Sequence, residues 1–144
     1  MSDDLKKVIQ DCQAKAKELN ENTDELNKRL ETVEHALVSL RLGVSARVPF
    51  GKDGDKRFLT WGKDNSRWKL LYEVGDHQAG HTYELLTHVS RGVRLSAVKL
   101  LPILFQALLA AVEHETDKIK KACEEIDVVT DEIAFFTAGQ KAAK

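Results

Sequence analysis

Apolar residues recur at alternating steps of three and four over the first forty residues of the chain. One series is Leu5, Cys12, Leu19, Leu26, Val33 and Leu40; the other is Ile9, Ala16, Thr23, Leu30 and Leu37. On a helix this spacing draws one narrow apolar stripe, and such a stripe needs a second helix laid along it. Most of the remaining positions are Lys, Glu, Asp, Asn or Gln, a solvated face. A helix over 3–42 follows, about 60 Å long. Ser2 is placed to cap it, Asp3 and Asp4 sit near its positive end, and Gly43 offers a left-handed stop.

A second ladder runs through Val98, Leu101, Phe105, Leu108, Val112, Ile119, Ala122, Ile126, Val129, Ile133 and Phe136, with Glu115 as its polar rung. It predicts a helix over 91–137 with Ser90 as cap, followed by a flexible tail over 138–144. Pro102 removes a backbone donor inside this helix and is expected to kink it. The stretch AVKLLPILFQALLAAV is apolar nearly all round and must be covered on more than one side. Two ladders of similar length at opposite ends of the chain suggest an antiparallel hairpin, with Leu40 near Arg94 and Ile9 near Ile126. In that register Cys12 faces Ala122 or Cys123.

From Val44 the period changes from helical to two. Val44, Ala46, Val48 and Phe50 alternate with Ser45, Arg47 and Pro49, as a half-buried strand does. GKDGDK is a turn by composition, RFLTWG a second strand, KDNS a turn, and RWKLLYEV a third strand. Residues 44–74 therefore read as a three-stranded antiparallel meander, and 75–90 as a loop ending in one helical turn. The fold class is α+β: one domain over 1–144, a long coiled-coil-like antiparallel helical hairpin with the meander inserted between its helices.

The total charge hides a division. Lys plus Arg number 22 against 23 Asp plus Glu. Residues 1–40 hold 6 basic and 9 acidic side chains, and residues 100–144 hold 5 and 8, so each end carries −3. Residues 41–99 hold 11 and 6, a net of +5, together with both tryptophans and both tyrosines. The chain reads as acidic stalks bearing a basic, aromatic head. Arg47, Arg57, Lys63, Arg67, Lys69, Arg91 and Arg94 are the candidate binding cations. Trp61, Trp68 and Tyr72 are candidate stacking faces for bases. The plainer reading is that these aromatics fill the seam between meander and helix while the cations solvate the outside.

Catalysis finds little support. His77, His81, His88 and Asp76 have spacings zinc accepts, but Gly75 and Gly80 make a poor frame and neither cysteine is near, so no metal is assigned. GKDG lacks the earlier glycine and following Ser or Thr of a phosphate loop. No nucleophile elbow or paired carboxylate stands out, and no cofactor is implied. Two cysteines 111 positions apart form no metal or redox signature and suggest free thiols in a reducing cytoplasm. No apolar run reaches the roughly eighteen residues of a membrane span, so no membrane partner is expected. The sequence thus points to a non-catalytic interaction or adaptor protein that self-associates, as dimer or tetramer, through its helices. Its head would meet a macromolecular partner. The alternative is a binder of an anionic ligand, a nucleotide or single-stranded nucleic acid, through that head.

Overall fold

The computed structural model describes residues 2–51, 56–76 and 80–142. Helix α1 (Asp3–Ser39) is followed by strands β1 (Ala46–Pro49), β2 (Arg57–Asp64), β3 (Arg67–Asp76) and β4 (Gly80–Leu85), then a single 3-10 turn (Leu86–His88) and helix α2 (Arg91–Ala142). The strands form one antiparallel sheet in sequential order. The chain is α+β, a long helix pair with an antiparallel meander between the helices, and the meander has four strands rather than three.

Local chemistry accounts for the element ends. Ser2 Oγ accepts the Leu5 amide at the start of α1. α1 closes at Leu40, earlier than expected, and it is Arg41 that takes the left-handed conformation (φ 51°), with Gly43 (φ 66°) two residues on. Asn65 and Ser66 both have positive φ, the geometry that lets a two-residue turn follow the twist of β2 and β3. Ser90 Oγ accepts the Val93 amide at the start of α2. α2 runs through Pro102 and continues to Ala142, past the expected end at residue 137.

β4 occupies most of the segment expected to be loop, and the helical turn expected at its end is the 3-10 turn. The strand was hard to see because no helix covers it. Thr82 and Glu84, which share the helix-facing side of the sheet with Tyr72 through the β3–β4 register, are exposed, so the segment lacks an apolar face.

One face of the sheet carries both helices, α2 over β1 and β2, α1 over β3. Their common core is Leu30 and Leu37 of α1, Val48, Leu59, Trp61 and Leu70 of the sheet, and Ala97, Leu104 and Leu108 of α2, with Leu86 and Val89 closing it. A buried carboxylate fixes α1 to the sheet. β4 pairs with β3 only from Leu71 onward, so the Leu70 amide has no strand partner on that side. Glu34 Oε1 accepts it at 3.0 Å, and Glu34 Oε2 lies 3.5 Å from Lys69 Nζ.

The register of the helix pair differs from the expected ladder. Arg94 donates to Asn27 at 2.5 Å rather than lying beside Leu40, and Leu40 instead faces the α2 segment 105–112. Where the helices meet, residue numbers therefore rise together. The sheet and the short turn after β4 dictate this, because they return the chain to the middle of α1 and not to its end. Residues 3–22 overhang one end of the head and 113–140 the other, and every residue in both overhangs with a described side chain is exposed. Cys12 and Cys123, both free, lie on opposite overhangs, on the order of 60 Å apart along the helix axes, so the expectation that they face each other within a chain is wrong.

α2 contains an 18-residue window of mean hydropathy 2.0, of which 17% is buried, so by length and composition alone this helix is long and apolar enough to cross a bilayer.

Two substitutions test this packing by urea denaturation. Leu104 is fully buried, and Leu104→Ala is expected to cost about 2–5 kcal/mol through lost transfer energy and the cavity left behind. Glu34→Ala orphans the Leu70 amide and is expected to cost about 1–3 kcal/mol. A loss well below 1 kcal/mol for both would contradict the described core.

Candidate functional site

The sheet face turned away from the helices carries a polar cluster that no sequence pattern announced. Glu73 is only 2% exposed. Its Oε2 accepts Thr60 Oγ1 at 2.8 Å from β2, while its Oε1 meets Arg47 Nη1 at 3.2 Å from β1 and Tyr83 Oη at 3.4 Å from β4. The antiparallel register makes this possible by placing Phe58, Glu73 and Tyr83 in one row across three strands. Arg47 also covers the Phe58 ring, 4.6 Å from its centroid. With its oxygens committed to neighbours on three strands, Glu73 ties the sheet together. It is poorly placed to act as a base on a ligand.

The sequence-predicted residues divide between this face, the helix-facing seam and the start of α2. Trp61 is buried in the core and stacks on the half-buried Trp68 with centroids 5.9 Å apart. Tyr72, also half-buried, meets Phe50 edge-on. Lys63 lies over the Trp68 ring, Lys69 pairs with Glu34, and Arg47 pairs with Glu73. Arg57, Arg67 and Arg91 are exposed at the ends of β2, β3 and α2. The aromatic residues share the helix-facing side of the sheet, in the seam, with Trp61 covered and Trp68 and Tyr72 half-buried.

At the start of α2, Arg94, 9% exposed, donates to Asn27 of α1. Among the described residues its Nε has no hydrogen-bond partner. Of the histidine loop, His77 lies outside the described residues and His88 is exposed in the 3-10 turn. Among the described residues no group of three or more His, Cys, Asp or Glu is placed to hold a metal ion.

A concave apolar feature lies elsewhere. An apolar groove of about 500 Å³ opens between the helices, lined by Val33, Leu37 and Leu40 of α1 and by Phe105, Leu109 and Val112 of α2. Beyond it the ladder continues uncovered through Ile119, Ile126, Val129, Ile133 and Phe136, each more than half exposed. The heptad spacing named these residues, but the groove arises from the same-sense meeting of the helices and has no sequence signal of its own. No protein-family model, curated protein or solved structure matches the chain.

The polar cluster has a titration signature. Tyr83 is held above its ordinary value of 10.0, first because burial disfavours the phenolate and second because the Glu73 carboxylate repels it, with Arg47 opposing. A folded-state value raised in this way gives stability that is complete below about pH 10 and lost as pH rises through the folded-state value. In ultraviolet difference titration, Glu73→Gln is expected to move Tyr83 ionisation downward while part of the elevation survives, since burial is the larger cause. An unchanged Tyr83 titration would break the assignment.

Proposed function

We propose that this is a non-catalytic interaction protein that self-associates through its helical overhangs and presents the sheet head to a macromolecular partner. The observation that carries the reading is the uncovered ladder in both overhangs. Leu5, Val8, Ile9 and Leu19 on α1, and Ile119, Ile126, Val129, Ile133 and Phe136 on α2, are all at least 40% exposed. Helices held by their backbone alone are marginal in water, and apolar stripes of this length mark association surfaces. The sheet is too short to cover them.

The head supports the second half of the reading. Its outward face offers Arg47, Phe58 and Tyr83, and its ends offer Arg57, Arg67 and Arg91, within the segment of net +5. An acidic or otherwise anionic protein surface suits that charge. A nucleotide or single-strand binder is supported less well, because Trp61 and Tyr72 are engaged by the core.

Light scattering of the full chain at high micromolar concentration is expected to give at least twice the 16.2 kDa chain mass. Dilution should lower helicity as the overhangs separate. A monomer across the whole range, with constant helicity, would remove the self-association reading.

A further inference from the structure

We infer that the apolar groove and the α2 overhang form one docking surface whose occupant is a second copy of this chain, with the two α2 helices antiparallel about a dyad near Glu124. This inference rests on the self-association reading and says which helix pairs, in what direction and in what register.

Charge along α2 sets the direction. Lys118, Lys120 and Lys121 lie just before residue 124 and follow Glu113, Glu115 and Asp117, so that half of the overhang is neutral and Lys118 lies 3.7 Å from Glu115. In the next two turns after residue 124 the charged residues, Glu125, Asp127, Asp131 and Glu132, are all acidic. Parallel helices in register would set lysines against lysines and carboxylates against carboxylates. Reversing one copy about residue 124 lays each run of lysines, 118–121, over the other copy's acidic turns and brings Lys118 beside Glu132, twice by symmetry. Glu125 then meets its own copy at the dyad, where it is exposed to solvent and has Lys121 one turn away.

The groove independently favours the same centre. Val112, at the edge of the groove nearest the overhang, precedes residue 124 by as much as Phe136 follows it. In the reversed pair the ladder rungs meet as Val112 with Phe136, Ile119 with Val129, and Ala122 with Ile126, and Phe136 of each copy arrives at the groove of the other. An aromatic side chain 65% exposed in one chain and an open cavity of about 500 Å³ in the other thus satisfy each other. Glu115 is the polar rung, facing Ile133. An off-type residue in a ladder penalises neighbouring registers. α1 is a weaker candidate, since its uncovered rungs include Cys12 and Ala16.

The pairing places Cys123 beside its symmetry mate and leaves Cys12 remote from the dyad. The test uses the full-length chain and a short bis-maleimide. Cys12→Ser protein is expected to crosslink to a dimer through Cys123, and Cys123→Ser protein is not. Phe136→Asp is expected to weaken association by on the order of tenfold or more, while Phe135→Asp, off the ladder and 82% exposed, leaves it unchanged. Lys118→Glu should weaken it and Lys118→Glu with Glu132→Lys restore it, with sheet tryptophan fluorescence unaltered throughout as the check on folding. A wild-type chain that stays monomeric overturns this pairing together with the broader reading. A wild-type chain that associates, but crosslinks through Cys12 alone or ignores Phe136→Asp, overturns the pairing only.

Discussion

A mismatch of lengths governs this molecule. The longest strand, β3, has 10 residues, while the helices have 37 and 52. At about 3.3 Å per strand residue and 1.5 Å per helix residue, the sheet spans about half of α1 and less than half of α2. Both helices use their middle or proximal turns to bury Leu59, Trp61 and Leu70. The rest of each apolar ladder is left without a partner in its own chain. The groove, the overhangs and the exposure of both thiols all follow from that shortfall.

Two buried carboxylates keep the short sheet in a single arrangement. Glu34 completes a hydrogen bond that β4 ends too early to make, and so fixes where α1 crosses β3. Glu73 joins β1, β2 and β4 through three different side-chain chemistries. Neither adds much stability over an apolar residue of like size, because taking a carboxylate out of water costs about what its bonds return. What they supply is selectivity. A one-residue slip of any strand would leave a charge buried without its partners.

Much of the architecture was readable from residue spacing. The ladders gave both helices, alternation gave β1 to β3, and the KDNS tetrapeptide gave their turn. What was not readable has a common physical origin. A heptad ladder says that a partner exists and is silent on which one, so Leu26 to Leu37 met the sheet while Leu5 to Leu19 met nothing. β4 escaped notice because pairing to β3 alone demands no apolar alternation. The cationic and aromatic character of the head is plain in the sequence. The division of these residues between two faces depended on register, which strand composition does not encode. The end of α1 at Arg41, ahead of Gly43, shows that an arginine can take the left-handed position when backbone bonds from Leu40 and Arg41 to Leu37 and Val38 close the last turn.

The continuity of α2 past Pro102 has a mechanical meaning. One continuous helix begins inside the head and carries on as the overhang, with no loop between the two. In the proposed pair, two chains would hold their heads as a caliper holds its jaws, on the order of 65 Å apart from Pro102 to Pro102 when centred near Glu124. A target that repeats at that spacing engages both jaws at once, and the second contact is made at high local concentration. A target with one such feature is held only as firmly as a single head can hold it.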